Sequence, residues 1–176
     1  CKPEQRDWLI GLMEGVEDIP GTALHEGIEW DWETFPEYLD VLEKKPLAID
    51  VGTQIPHGAV RAYVMGERGI NHEPATEEEI SKMKEIVKEA IQAGAYGFTT
   101  SRTEKHSDVD GKLTPSITAH KKELVEIAKS LGELNQGVLQ GISDFYNFEE
   151  EFDIFKAMSK ESKRPISITV EQQLSL

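Results

Sequence analysis

Two short segments of this 176-residue sequence concentrate side chains that can do chemistry. They are GTQIPHGAVR, residues 52–61, and SRTEKHSD, residues 101–108. An imidazole such as that of His57 can bind a metal, act as a base or donate to an oxyanion, and it can equally hold a turn by bonding a loop carbonyl. Ser101 offers a hydroxyl. Arg102 offers a guanidinium suited to a carboxylate, or to an internal ion pair with one of the abundant acids.

Further ionisable groups lie in a glycine-containing loop or directly after apolar runs. His106 and Asp108 stand in a loop that contains Gly111, which is typical either of an active-site flap or of a solvated turn. Asp144 and Glu171 each follow an apolar run, so each can act as an acid or base, or can cap the next helix.

The elements that must position these groups alternate between strands and helices. Four apolar runs have the length of strands: 47–51, 97–100, 137–142 and 166–170. Apolar residues at three-four spacing predict helices over 76–93, 118–131 and 147–162. This alternation predicts an α/β fold with a parallel sheet. In such sheets functional groups gather at the carboxyl ends of the strands, where the polar segments above are found.

Local signals support the helices and place their ends. Thr76 with Glu79 predicts a capping box, Gly94 and Gly132 predict helix ends, and Asn147 predicts an N-cap. Upstream, two shorter helices are predicted over 7–16 and 34–43, the second opened by a Thr34/Glu37 capping box, with a structured loop over 17–33.

The organisation predicted is a helical and loop segment, residues 1–46, followed by half of a (β/α) TIM-type barrel, residues 47–176. A complete eight-stranded barrel needs about 250 residues, and about four strands are present. The chain also does not begin with Met. We therefore expect it to be a fragment of a longer protein, and we expect its open sheet edges to cause self-association.

Composition and charge restrict the classes of molecule that the chain is expected to bind. The formal net charge of -14 argues against nucleic acid, because phosphate binding needs clustered Lys and Arg. The sequence has no run of about 18 apolar residues of the kind that spans a membrane. The single cysteine, Cys1, gives no sign of an oxidising compartment, so a cytoplasmic location is expected.

The sequence lacks His-x-His, HExxH, paired CxxC, GxSxG and phosphate-binding glycine loops, so it carries no self-sufficient catalytic motif.

Four segments carry a family resemblance: MEGVEDIPG (13–21), GIEWDWETFPEYL (27–39), PHGAVR (56–61) and AGAYGFTTSRT (93–103). Together they resemble the D-aminoacylase, or N-acyl-D-amino-acid deacylase, branch of the amidohydrolase superfamily. The resemblance implies a metal-dependent barrel that hydrolyses a non-peptide amide, such as the N-acyl group of a D-amino acid, with one or two divalent ions, usually zinc. Under this reading the residues expected to bind substrate are His57, Arg61, Ser101, Arg102 and His106.

The sequence also departs from this family. The resemblance implies a metal-binding histidine at the end of each strand aligned with 137–142 and 166–170, where this chain has Asp144 and Glu171. Either these two carboxylates replace the histidines as metal ligands, or the metal is held differently, or the deacylase reaction is lost. The principal ligands are expected outside this chain, and Cys1 is given no metal role. The competing hypothesis is a non-catalytic barrel relative that serves as a binding or assembly module.

Overall fold

The chain forms a four-stranded parallel sheet with helices between the strands. A computed structural model describes residues 2–170. The strands are β1 (Ile55–Pro56), β2 (Gly97–Arg102), β3 (Val138–Ser143) and β4 (Ile166–Thr169), and their order in the sheet is their order in the chain. After a 3₁₀ turn at Pro3–Gln5, the helices are α1 (Arg6–Glu17), α2 (Gly21–Gly27), α3 (Phe35–Lys44), α4 (His57–Met65), α5 (Glu67–Ile70), α6 (Glu77–Ala93), α7 (Lys121–Leu134) and α8 (Phe148–Ser162). The predicted parallel α/β architecture is confirmed.

Strand register gives the sheet one apolar face and one mixed face. Ile55 pairs with Phe98, Phe98 with Leu139, and Leu139 with Ile166, so one apolar row crosses all four strands. This row packs into the hydrophobic core beneath the helices. Because side chains alternate along a strand, the next row of partners, Pro56, Thr99, Gln140 and Ser167, lies on the opposite face. None of these four side chains is buried among the residues described.

The core is completed by the buried stripes of three helices. α7 packs between α6 and α8. The buried apolar residues of these helices are Ile80, Met83, Val87, Ala90 and Ile91 on α6, Leu124, Val125, Ile127, Ala128 and Leu131 on α7, and Ile154, Phe155 and Met158 on α8. The helix–sheet layer therefore rests on residues whose spacing predicted the helices, but Phe148 and Phe152, which were also expected on the inner face of α8, are 60% and 46% exposed.

Capping geometry confirms the predicted helix starts. The Thr76 hydroxyl accepts from the backbone N–H of Glu79 at 3.2 Å, and the Glu79 carboxylate accepts from the Thr76 N–H at 2.8 Å. The Thr34 and Glu37 pair repeats both bonds at α3. The Asn147 side chain accepts from the backbone N–H of Glu150 at the start of α8. Each cap satisfies donors that the first helical turn leaves unpaired.

The predicted first strand is wrong. Residues 47–51 form no strand, and Ile49 is 76% exposed. Pairing with β2 begins further along, where the Tyr96 N–H donates to the Thr53 carbonyl at 2.8 Å, and it ends in the two-residue β1. The physical reason is that Ile55 is the residue that reaches the core, at 2% exposure, and the helix α4 begins directly after Pro56.

Other boundaries also differ from prediction. α2 forms inside the segment predicted as a loop, and α4 and α5 form where no helix was predicted. α7 covers 121–134 instead of 118–131, because Gly132 lies within the helix and does not end it. A Cβ at Gly132 would lie 2.3 Å from the carbonyl oxygen of Ser162, so a residue without a side chain lets α8 approach.

Across the described part of the chain, no helix combines the length and the apolar character that crossing a membrane requires. The prediction that residues 1–46 and 47–176 are separate parts stays a prediction.

Replacing Met83 with Ala tests the core. Its side chain is fully buried on α6, so we expect Met83→Ala to lower the free energy of unfolding by about 2–5 kcal/mol. Glu89→Ala on the exposed side of the same helix is the control and should change it by less than about 0.5 kcal/mol. Urea unfolding followed by circular dichroism measures both. Equal effects of the two substitutions would contradict the described packing.

Candidate functional site

A buried polar cluster joins the first two strand–helix units. His57 is the first residue of α4, and its Nε2 lies 2.8 Å from Oε1 of Glu123 on α7. Its Nδ1 lies 2.9 Å from the hydroxyl of Thr100 on β2. Nε of Arg61 lies 2.8 Å from the same Glu123 oxygen, as an ion pair whose N–H does not point along a hydrogen-bond direction. We call these four residues the buried cluster.

Arg61 is also tied to the loops around the cluster. Its Nη1 donates to the Pro115 carbonyl at 2.5 Å, and its Nη2 donates to the Glu73 carbonyl at 2.9 Å. The residue is 1% exposed. A guanidinium with a carboxylate and two carbonyls as partners is compensated in the interior, as a buried charge must be.

Burial and charge set the protonation states in the cluster. Burial lowers the pKa of His57 below its ordinary value of 6.5, although the Glu123 carboxylate opposes that shift. Burial alone would raise the pKa of Glu123, but the contacts with His57 and Arg61 outweigh it and lower the pKa below 4.5. The pattern fits an anionic Glu123 beside a cationic Arg61 and a neutral His57 that donates from Nε2 and accepts at Nδ1.

Arg102, at the end of β2, is held by a second internal ion pair. Its Nε and Nη2 donate to the two carboxylate oxygens of Glu151, each at 2.7 Å, and its Nη1 donates to the Ala119 carbonyl at 2.9 Å. Glu151 also accepts from the hydroxyl of Ser143 at 3.0 Å. The structure therefore shows the internal pair that the sequence left open for Arg102.

Ser101 and His106 form a separate pair. The Ser101 hydroxyl lies 2.8 Å from Nδ1 of His106. Ser101 shares a face of β2 with Thr99, opposite Phe98 and Thr100, and both members of the pair are half-buried. A hydroxyl and an imidazole that face the open side of the sheet can together donate to and accept from a polar ligand.

Asp144 braces the loop that follows β2. One carboxylate oxygen accepts from the Thr103 hydroxyl at 2.5 Å, and the other accepts from the Glu104 N–H at 2.7 Å. Glu171, the second carboxylate proposed as a metal ligand, lies outside the described residues. Within residues 2–170 no group of three or more His, Cys, Asp and Glu side chains is placed to hold a metal ion. Each oxygen of Asp144 accepts one hydrogen bond within the chain, and its role as a metal ligand stays a prediction.

The strand-end residues predicted from the sequence are thus distributed over different environments. His57 and Arg61 are in the buried cluster, Arg102 is in its own ion pair, and Ser101 meets His106. Their substrate-binding roles stay predictions.

Sequence reasoning missed the two carboxylates that organise this region, Glu123 and Glu151. A signal was present, because Glu123 shares a helical stripe with Ile127 and Leu131, and Glu151 with Phe155 and Met158. An acid on an apolar stripe needs a buried cation as partner.

Comparison with known proteins assigns the class of this α/β unit. Residues 1–175 match the Amidohydrolase family, and the chain belongs to that family.

Two curated relatives come from Alcaligenes xylosoxydans xylosoxydans. The chain is 30% identical to a D-aminoacylase over 123 residues, which is 70% of this chain and 23% of that protein. It is 36% identical to an N-acyl-D-aspartate deacylase over 98 residues, which is 56% of this chain and 17% of that protein. The chain therefore spans less than a quarter of the length of these relatives.

Solved structures show the same fold. A D-aminoacylase structure concerned with the functional role of a binuclear metal center matches with a TM-score of 0.64 at 23% identity, covering 78% of this chain and 27% of that one. A D-aminoacylase described as defining a novel subset of amidohydrolases matches with a TM-score of 0.61 at 21% identity, with the same coverage. The four strands thus match part of an amidohydrolase (β/α) barrel, which confirms the predicted fold class.

Removing Glu123 should destabilise the chain strongly. Glu123→Ala leaves Arg61 buried without its carboxylate, so we expect the free energy of unfolding to fall by about 3–5 kcal/mol. Glu126→Ala on the same helix is a matched control, because its ion pair with Lys129 is about one-third exposed and is worth at most about 1 kcal/mol. Denaturant unfolding compares the two. A smaller loss for Glu123→Ala than for the control would contradict the role of the cluster.

The lowered pKa of His57 predicts a pH dependence. Below about pH 6.5 the unfolded chain binds a proton at His57 that the folded chain resists, so the contribution of His57 to stability is complete above that pH and is lost as the pH falls. We expect the stability difference between wild type and His57→Gln to shrink between pH 7.5 and pH 5. Unfolding free energies measured at several pH values check this expectation. A difference that grows on acidification would mean that the folded state binds the proton more tightly.

Proposed function

We propose that this chain forms part of a metal-dependent amidohydrolase that removes the acyl group from N-acyl-D-amino acids. Membership of the Amidohydrolase family and the similarity to a D-aminoacylase and an N-acyl-D-aspartate deacylase support the reaction class. The observation that carries the chain's own part in it is the Ser101–His106 hydrogen bond on the open face at the end of a central strand. In parallel α/β folds this end of the sheet is where ligands bind.

The two arginines are proposed to act without touching the substrate. Arg61 and Arg102 have their nitrogens engaged by groups of the chain itself, so their contribution is to hold the loops at the site in place. Of the residues predicted to bind substrate, Ser101 and His106 are the two that present donor and acceptor atoms toward the open face. We propose that these two contact the polar head of the substrate, and that His57 supports them through the buried cluster.

The metal is proposed for the whole protein. Zinc or another divalent ion is the expected cofactor, and its principal ligands are proposed to lie beyond residues 2–170. Support for this arrangement comes from residues 2–170 themselves, among which no group of three or more His, Cys, Asp and Glu side chains is placed to hold a metal ion. A small-molecule substrate, a cytoplasmic location and self-association through the edge strands β1 and β4 complete the proposal.

The alternative is a barrel relative without catalytic activity. The sequence favours it at one position, since Asp144 stands where the resemblance implies a metal-binding histidine. Metal analysis of the natural protein that contains this chain separates the two. Stoichiometric metal together with turnover favours the enzyme, and the absence of both favours the binding module.

The enzyme proposal is tested on the natural full-length protein, loaded in turn with zinc, cobalt and manganese. A panel of N-acyl-D-amino acids, with the L-forms as controls, is followed by release of the free amino acid. Turnover of the D-forms is expected. Failure of every metal and every substrate would overturn the proposal.

The Ser101–His106 pair is tested by substitution in the same protein. A hydrogen bond to a neutral group contributes about 0.5–1.5 kcal/mol, so we expect Ser101→Ala to raise KM by up to about tenfold with a smaller change in kcat. His106→Ala should act in the same direction. Ser81→Ala, at an exposed position on α6, is the matched control and should leave KM unchanged. Turnover that neither site substitution alters would remove the pair from the site.

A further inference from the structure

The loop after β2 carries a small hairpin whose base is His106. Ser107 and Leu113 form an antiparallel bridge, and the Thr114 N–H donates to the His106 carbonyl at 2.9 Å. At the tip the Asp108 N–H donates to the Lys112 carbonyl at 2.8 Å. We call residues 106–114 the flap hairpin. Because its two strands are hydrogen-bonded to each other, a displacement of the tip also displaces His106 at the base.

Helix α1 approaches the flap hairpin at backbone distance. A Cβ built on Gly15 would lie 2.2 Å from the carbonyl oxygen of Ser107 and 2.6 Å from the carbonyl carbon of Asp108. These are backbone atoms, which cannot rotate away as the end of a flexible side chain can. One turn earlier, the carbonyl of Gly11 accepts from the Val109 N–H at 3.2 Å. The missing side chain of Gly15 therefore sets how close α1 and the hairpin can come.

The hairpin is also held by the turn after α5. Nε2 of His72 donates to the Leu113 carbonyl at 2.9 Å, and Nζ of Lys112 donates to the Asn71 side-chain oxygen at 2.6 Å. The hairpin thus contacts two other parts of the chain. Any residue larger than glycine at position 15 must move the hairpin or the helix.

We propose that Gly15 is a positioning residue, which seats the flap hairpin so that Nδ1 of His106 meets the Ser101 hydroxyl. The catalytic consequence rests on the function proposed above, whereas the positioning itself does not. By this positioning, helix α1 takes part in the site although it precedes the sheet in the chain. It also distinguishes two glycines of one helix, since a Cβ on Gly11 would meet the Val109 side chain at an ordinary 3.7 Å.

The test compares Gly15→Ala with Gly11→Ala in the full-length protein. Both substitutions exchange glycine for alanine inside α1, so their effects on helix propensity are alike. The readout is the imidazole nitrogen resonances of His106 in histidine-labelled protein, and Ser101→Ala supplies the signature of the broken bond. Gly15→Ala should shift the Nδ1 resonance toward that signature, and adding Ser101→Ala to it should change little more. Gly11→Ala should leave the resonance in place.

A second variant covers the case in which Gly15→Ala does not fold. Asn71→Ala removes the Lys112 contact with the turn after α5 without introducing a clash, and it should shift the same resonance in the same direction by a smaller amount. An unchanged His106 resonance in folded Gly15→Ala, or in Asn71→Ala if the first variant does not fold, overturns the proposal. An equal shift in Gly11→Ala does so as well.

Enzyme activity provides a second test, separate from the resonance measurement. Because Gly15 is proposed to act through the Ser101–His106 bond, kcat/KM for Gly15→Ala should fall by up to about tenfold, as for Ser101→Ala, while Gly11→Ala stays within about twofold of wild type. If the wild-type protein shows no turnover, the proposed function fails and the resonance comparison still decides the positioning. A wild-type rate in Gly15→Ala together with a shifted resonance would mean that the Ser101–His106 bond does not serve the reaction, and would overturn the catalytic part.

Discussion

The relative placement of the strand–helix units depends on one buried carboxylate, Glu123. Removing such a group from water is unfavourable by several kcal/mol unless cations and donors surround it. Here the compensating groups come from other elements, with His57 and Arg61 on α4 and the Thr100 hydroxyl of β2 behind the His57 ring. Since each contact is directional or short in range, these contacts fix the positions of β2, α4 and α7 relative to one another. A shift that separated Glu123 from its partners would leave a buried charge uncompensated.

The same need for a compensating charge distinguishes two kinds of polar residue at the strand ends: those paired inside the chain and those that face the open side of the sheet. Arg61 and Arg102 have the residue type of a substrate clamp, yet each is balanced by an acid of this chain. In a chain with a net charge of -14, internal acids are the nearest partners for a guanidinium. Ser101 lies on the other face of β2 and pairs with His106 in the loop that follows. Our proposal gives these two groups the contact with a ligand on the basis of the strand face on which Ser101 lies.

Much of the fold was predictable, and the reason lies in local signals. Capping boxes at Thr34 and Thr76 and the apolar stripes of α6 and α8 involve residues three or four apart, which a sequence shows directly. β1 could not be predicted from a hydrophobic pattern, since a two-residue strand has no periodicity. The run at 47–51 has the apolar composition of a strand but is exposed in the structure. Within the candidate site, His106 and Asp144 were proposed from their place after a strand, and their roles stay predictions. The acidic partners of Arg61 and Arg102 could only be inferred from a charge on an apolar stripe, because Arg102 and Glu151 lie 49 residues apart in the chain.

The strand order has a consequence for how the chain acquires its structure. Every strand pairs with the one that precedes it in the chain, and no later strand inserts between two earlier ones. A chain emerging from the ribosome can therefore add each unit to a finished edge, without waiting for a distant partner. Among the residues described, β4 lies at one edge of the sheet, so it is the edge to which the next strand of such a series would pair.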